Sequence, residues 1–292
     1  MEIFRHNFGE CMAHHSIDHH PNEADFPLHA HPHCEVFYFI KGDGYYTVEG
    51  RDYPLSPGNI LLMRDGEIHK LHISGASPYE RMAIHFPLDE ILGKDTPFAG
   101  LRSLFLDRSP GCNNLFAPKT EESAAFLAAC FSRICRSAMG DAEFGLSLTA
   151  HLPALLSELR SMSASAPLPE PLPRKECDSV LPEIIDYINR HLTEISGLSE
   201  LEQHFFFSKS TLNRLFSEST GSTVWEYVVI KRLHAARRML LDGKSAAIAA
   251  AACGFGNYSA FYRQYRRVFG ESPRRERKSP KPLEKSDEKS YH

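Results

Sequence analysis

Between about residues 26 and 86 the chain alternates short runs of β-branched, aromatic and aliphatic residues with turn formers. The runs are 36–40 (VFYFI), 45–48 (YYTV), 59–63 (NILLM), 70–73 (KLHI) and 81–86 (RMAIHF), punctuated by Gly42-Asp43-Gly44 and Ser56-Pro57-Gly58. Short strands at this spacing predict a small antiparallel barrel or jelly roll. The period then lengthens to that of a helix. Ala124, Phe126, Leu127, Phe131 and Ile134 mark one helix over 121–139, and Leu146, Leu148, Leu152, Leu155, Leu156 and Leu159 mark a second helix over 144–160. These helices can cap the barrel; equally, the stripe Leu148, Leu152, Leu155, Leu159 can pack against its twin in a dimer.

The stretch 161–174, SMSASAPLPEPLPR, breaks the pattern. Its prolines lack amide donors and favour extended geometry, so it reads as a semi-rigid spacer. Everything after it is helical. Leu181, Ile184, Ile185, Ile188 and Leu192 define one amphipathic helix, and Ser199 with Glu202 has capping-box spacing for the next. Ser208 caps a helix over 209–219 that Gly221 ends. A longer helix over 224–241 places Trp225, Val228, Val229, Leu233, Ala236 and Leu240 along one face, then Gly243 stops it. An alanine-rich helix (245–253), a Gly254-Phe255-Gly256 turn and a last helix (257–269) follow. The pattern gives a multidomain α+β chain: a β-barrel domain with accessory helices over 1–160, one of which can serve dimerisation, a Pro-rich linker over 161–176, an all-α domain over 177–278, and a disordered charged tail over 279–292.

Charge sharpens this division. Residues 1–173 carry 13 Lys and Arg against 22 Asp and Glu, a net of −9, whereas 174–292 carry 20 against 15, a net of +5. Local positive charge is what phosphate neutralisation needs, and only where DNA is touched. Seven cysteines, odd in number and without a C-x-x-C pair, read as reduced thiols. No apolar leader or membrane-length apolar run is present, so a cytoplasmic protein without membrane contact is expected.

Two short helix-turn-helix units joined by one helix follow from periodicity, and their exposed positions carry the chemistry. Lys209, Ser210, Asn213 and Arg214 lie off the Leu212/Leu215/Phe216 stripe; Asn257, Tyr258, Ser259, Tyr262, Arg263, Arg266 and Arg267 lie off the Phe261/Tyr265 stripe. Arg can fork onto guanine and Asn onto adenine, while Ser, Tyr and Lys take phosphate oxygens. Taken singly, either face is equally an ordinary solvated surface. An 18-residue connector spans about 27 Å at 1.5 Å per residue, which with its flanking turns can set the two reading helices about one DNA turn apart.

The run SKSTLNRLFSESTGSTVWEYVVIKRLHAA (208–236) with GFGNYSAFYRQYRRVFGESP (254–273) resembles the AraC/XylS family of transcription regulators. The resemblance implies that Ser210, Asn213 and Arg214 probe one major groove, and Tyr258, Ser259 and Arg263 the next. Departures fall at Glu202, at the three phenylalanines Phe205–Phe207, at Ile248-Ala249, and at Glu276-Arg277. Upstream, His29-Ala-His31-Pro-His33-Cys-Glu35, with six residues before Gly42, and Gly66-x-x-His69 resemble the two cupin motifs; Arg64 and Ile73 depart from the second. In metal-dependent cupins the positions of His29, His31, Glu35 and His69 hold a divalent ion. In regulators the same residues can hydrogen-bond an organic effector, or simply satisfy one another.

Together these features predict a sequence-specific DNA-binding regulator, an activator rather than an enzyme. Double-stranded DNA and RNA polymerase are its expected macromolecular partners. A small molecule, expected to be a carbohydrate, binds at His29, His31, Glu35 and His69, with no cofactor, and the chain works as a homodimer. A metal-dependent cupin enzyme and a metal-sensing regulator are the alternatives.

Overall fold

The computed structural model describes residues 2–135, 140–165, 167–172, 180–220 and 222–276. The N-terminal half is built on two antiparallel sheets. The larger contains β1 (Glu2–Phe8), β2 (Cys11–Asp18), β8 (Tyr79–Phe86), β3 (Cys34–Lys41), β6 (Ile60–Met63) and β9 (Leu115–Phe116), in that spatial order. The smaller contains β5 (Arg51–Pro54), β4 (Gly44–Val48) and β7 (His69–Ile73). The five runs read as strands correspond to β3, β4, β6, β7 and β8. Strands β1 and β2 were not anticipated, because the inward positions of β2 carry His14 and Ser16 where an apolar alternation would be expected.

Period-two geometry divides the strand residues between two cores. Val36, Ile60, Leu62, Ile84 and Phe86 face outward, under the helices α3 (Glu121–Ile134) and α4 (Asp141–Ser165). Phe37, Phe39, Tyr46, Leu61, Met63 and Tyr79 face inward, between the sheets. Two single-turn helices, α1 (Leu88–Ile91) and α2 (Ser103–Leu106), fill the crossover from β8 to β9. The leucine stripe at 148, 152, 155 and 159 is spent inside this protomer, where each residue is at most 2% exposed, so it offers no face to a twin. It caps the larger sheet. Helix α4 also runs to Ser165, five residues into the stretch read as linker, and Leu172 donates its amide to Asp52 O at 2.6 Å. Residues 166 and 173–176 of the expected linker and the tail 279–292 lie outside the described residues.

The C-terminal half comprises α5 (Val180–Arg190), α6 (Leu198–Phe205), α7 (Lys209–Thr220), α8 (Val224–Leu241), α9 (Ala246–Ala252), α10 (Tyr258–Phe269) and α11 (Pro273–Glu276). Helix α8 joins two small cores. Val224, Tyr227 and Val228 pack with α5, α6 and α7; Val229, Leu233, Ala236 and Leu240 pack with α9 and α10. The apolar residues of α8 therefore fall on two faces, not one.

Helix ends follow local chemistry. Thr223 and Glu226 form a reciprocal capping box that starts α8, and Ser245 accepts from Ile248 N at the start of α9. The box expected at Ser199/Glu202 is absent. Leu198 and Leu201 are drawn into the first core, so α6 begins at Leu198 and Ser199 already lies within its first turn. Glu202 Oε1 instead accepts Lys209 N at 2.8 Å, helping to start α7, where Ser208 Oγ also accepts Thr211 N at 3.2 Å. The expected stop at Gly221 lies outside the described residues. Gly270 closes α10 in the left-handed region at φ 70°, as a C-terminal glycine should.

Buried Arg232 holds the two helical units together. Its Nε donates to Leu192 O (2.8 Å), Nη2 to Ile195 O (2.6 Å) and Nη1 to Gly254 O (2.8 Å), with the Trp225 ring 5.6 Å from its guanidinium carbon. One side chain on α8 thus fixes the turn after α5 and the turn before α10.

Candidate effector site and nucleic-acid interface

Inside the barrel, β3 projects Glu35 inward, β7 projects His69, and the segment before β3 supplies His29 and His31. His29 pairs with His69 through both backbone hydrogen bonds (3.1 and 2.9 Å), so two strand-like segments place their histidines side by side. The His29 and His69 ring centroids are 4.3 Å apart, and those of His31 and His69 5.1 Å. His31 Nε2 lies 2.9 Å and His69 Nε2 3.4 Å from the same carboxylate oxygen of Glu35, while His85 Nε2 stands 4.0 Å from the other. All four residues predicted for the effector site are brought together, joined by His85 and, behind it, His14.

The ring tautomers are set from outside. Carbonyl oxygens cannot donate, so Nδ1 of His31 donates to His33 O (2.8 Å), Nδ1 of His69 to Glu67 O (2.8 Å), and Nδ1 of His29 to Pro27 O (3.0 Å). In the neutral rings of His31 and His69 the Nε2 lone pairs then face a carboxylate. Acceptors converging on an acceptor call for a cation between them, either a proton or a metal ion. Burial pushes the Glu35 carboxyl up, but the His85 charge, the His31 hydrogen bond and the nearby His69 ring reverse this and hold it well below the carboxylate range. Burial lowers His31 and His85, whereas at His69 the nearby Glu35 carboxylate overcomes burial and raises the pKa.

The same geometry suits a divalent transition metal. The ligand atoms of His31, Glu35 and His69 lie within 4.8 Å of one another. Metal bonds of about 2.1 Å place neighbouring ligands about 3.4 Å apart, so only a small contraction is needed. Further along the lumen, Arg81 stacks over Tyr79 (4.9 Å) and Phe26 (5.4 Å), and its buried Nη1 has no hydrogen-bond partner.

Below the site, Glu67 is held by Arg108 through two parallel bonds of 2.7 and 2.8 Å and by Gly111 N at 2.9 Å. This buried pair fixes the loop that carries His69, and sequence reasoning missed it; the two partners lie 41 residues apart.

On the helical half, Lys209, Ser210 and Arg214 are exposed on α7, and Tyr258, Ser259, Arg263 and Arg267 on α10; Tyr262 is half-buried. Arg214 rests on Glu218 at 3.0 Å and Lys209 on Glu202 at 3.6 Å, exposed pairs that exchange for phosphate or base contacts at little cost. Two predicted readers have structural work as well. Asn213 Oδ1 accepts Val224 N at 3.2 Å, tying α7 to α8, and Asn257 Oδ1 caps α10 through Ser259 N (2.8 Å) and Ala260 N (3.2 Å). Two of the noted departures also have a visible form. Phe206 ends α6 in the left-handed region and is 92% exposed, and Ile248 is exposed while Ala249 takes the buried position.

A barrel with a convergent polar cluster, joined to a helical domain whose α7 and α10 expose basic and polar side chains, fits a ligand-responsive DNA-binding protein. Comparison with known proteins gives the family. Residues 16–159 match the AraC-like ligand binding domain and residues 201–279 a helix-turn-helix domain. The HTH-type transcriptional activator RhaS of Escherichia fergusonii is 26% identical over 253 residues, covering 86% of this chain and 87% of its own. The arabinose operon regulatory protein of Escherichia coli is 25% identical over 242 residues, 80% of this chain and 76% of its own. Among solved structures, apo ToxT from Vibrio cholerae aligns over 94% of both chains at 11% identity and a TM-score of 0.37. The chain belongs to the AraC family of transcription regulators, with an N-terminal effector-binding domain and a C-terminal DNA-binding domain. Among the described residues no helix is long and apolar enough to cross a membrane.

Proposed function

We propose that this regulator activates transcription, without enzymatic turnover, when a carbohydrate occupies the barrel. His29, His31, Glu35 and His69 take the effector's hydroxyls, and Arg81 takes a further oxygen deeper in the lumen. The observation that carries this reading is the pairing of a converging polar cluster with exposed readers on two separate helices. Lys209, Ser210, Asn213 and Arg214 are assigned to one groove; Asn257, Tyr258, Ser259, Tyr262, Arg263 and Arg267 are assigned to the next. Its partners are DNA, RNA polymerase and a second copy of the chain, and the leucines of α4 take no part in that dimer.

Selection of bound fragments from a random DNA library, with and without a panel of sugars, tests the reading. Enrichment of one bipartite motif, sharpened by one sugar, is expected. Arg214→Ala and Arg263→Ala should each weaken binding to the selected fragment by about 1–3 kcal/mol and relax specificity in one half of the motif only. Retained affinity and selectivity in the double variant would end the regulator assignment of these helices.

One observation favours a second reading, a regulator that responds to a metal. The outward Nδ1 donors leave the His31 and His69 lone pairs pointing at Glu35, an arrangement suited to a cation. Titrating chelator-treated protein with Zn(II) separates the two: metal sensing requires binding that His31→Gln removes, together with a metal-dependent change in DNA affinity.

A further inference from the structure

The two domains meet at a carboxylate. Glu49 sits at the β4–β5 turn in the left-handed region (φ 47°), an uncommon conformation for a residue with a side chain, and it is 1% exposed. Within the barrel it grips Ile68 twice. Its amide donates to Ile68 O at 2.9 Å, and its Oε1 accepts Ile68 N at 2.7 Å. Its carboxylate also crosses to the helical domain, accepting Lys231 Nζ (2.9 Å), Tyr227 OH (2.5 Å) and Asn189 Nδ2 (2.8 Å). Charge-assisted bonds of this kind are strong when buried, and a saturated buried carboxylate is costly to leave half-paired. At the rim, Arg51 pairs with Asp186 (2.9 Å) and Arg238 with Asp65 (3.0 Å). The approach is close: a Cβ on Gly50 would stand 2.4 Å from Ile185 Cδ1.

The wall between the histidine cluster and the helical domain is shared by both. His29, His31 and His69 turn toward the lumen, while the alternating residues Leu28, Ala30 and Ile68 pack into the hydrophobic core of α5–α8. Ile68 is 1% exposed and lies among Leu181, Ile184, Ile185 and Tyr227 although it belongs to the barrel. A displacement of His69 on one side of this two-stranded wall cannot leave Ile68 in place on the other, because the packed interior has no slack.

We propose that effector occupancy is relayed within one chain, from His31 and His69 through the Leu28–His31 and Ile68–His69 wall to Glu49 and thence to α8. Helix α8 carries both reading units, so a change in how Glu49, Tyr227 and Lys231 engage alters the footing of α7 and α10 together. The docked domains leave Lys209, Ser210, Arg214, Ser259 and Arg263 exposed. The relay therefore works by positioning, not by covering the DNA-binding surface. The linker after α4 need only tether the two halves. This route rests on the reading of the barrel as the effector site, and it names the contacts that regulate that reading.

A double-mutant cycle on the full chain tests the relay, with affinity measured for the DNA fragment that the parent selects. His31→Gln should shift that affinity at least about five-fold in the parent background, the lower range of allosteric coupling, and less than about two-fold in a Glu49→Gln background. Hydrogen exchange supplies a readout that needs no DNA. Glu49→Gln should speed exchange of the amides around Asn189 and Tyr227 by about ten-fold, and the milder rim variant Asp65→Asn should move Arg238 and its neighbours in the same direction. Equal His31→Gln shifts in both backgrounds, no shift in the parent, or unchanged exchange in both interface variants would overturn the relay while the DNA reading stood. A parent chain that selects no DNA fragment would sink both.

Discussion

Replacing Arg232 by Met is the sharpest test of how the DNA-binding half is held together. Three carbonyls, at Leu192, Ile195 and Gly254, lose donors at 2.6 to 2.8 Å. Hydrogen bonds from a charged donor contribute about 1.5–3 kcal/mol each, but burying the guanidinium offsets part of that sum. Burial is also why the Arg232 pKa lies below its ordinary value. Met keeps the packing of the stem, so the loss falls mainly on the polar contacts, and a net destabilisation of about 3 kcal/mol is expected. The chain's one tryptophan, Trp225, lies beside Arg232 and reports unfolding of this domain selectively. With a urea slope of about 1.5 kcal/mol/M, the Trp225 fluorescence transition should fall by about 2 M. A midpoint within about 0.3 M of the parent would refute the claim that this side chain clamps the two units.

Three further outcomes follow from the same contacts. Gly254→Ala forces a side chain into φ 79° with its Cβ 2.6 Å from Thr193 O, so it should lower the same Trp225 transition and weaken binding to a two-half DNA site more than to either half alone. Thr223→Ala removes the capping box of α8 and should cost about 1–2 kcal/mol in urea unfolding. The Glu226 carboxyl is lowered chiefly by the Thr223 backbone and side-chain hydrogen bonds; its contribution is therefore present above the unfolded pKa, about 4.3, and is lost as pH falls through the lower folded value, so the parent-to-T223A gap should narrow on acidification. Arg108→Met leaves Glu67 charged and buried without its bidentate partner, which should destabilise the barrel by about 3–5 kcal/mol and speed amide exchange in β7.

Much of the helical half could be read from residue order because its signals are local. Helix α8 follows from its apolar period and the stop at Gly243, α10 from Asn257 and Gly270 at its ends, and the exposed positions of α7 and α10 from what lies off each stripe. The His29-x-His31-x-x-x-Glu35 spacing stands out through its resemblance to the first cupin motif, and the structure brings these side chains together with His69. The capping box at Ser199 failed because burial of Leu198 and Leu201 set where α6 begins, an instance of packing overriding a local preference.

What order alone could not decide is which surface each pattern meets. The α4 leucines suit a barrel cap and a dimer seam equally until the sheet is seen to cover them. The polar stripe Tyr227, Lys231, His234 and Arg238 repeats at helical spacing along α8 and looks solvated on paper; only the docked barrel, with Glu49 up to 182 residues away, turns it into an interface. Periodicity records the conformation of a segment and the width of its apolar face, whereas the partner of that face depends on contacts between residues far apart in the chain, and those exist only once the tertiary structure has formed.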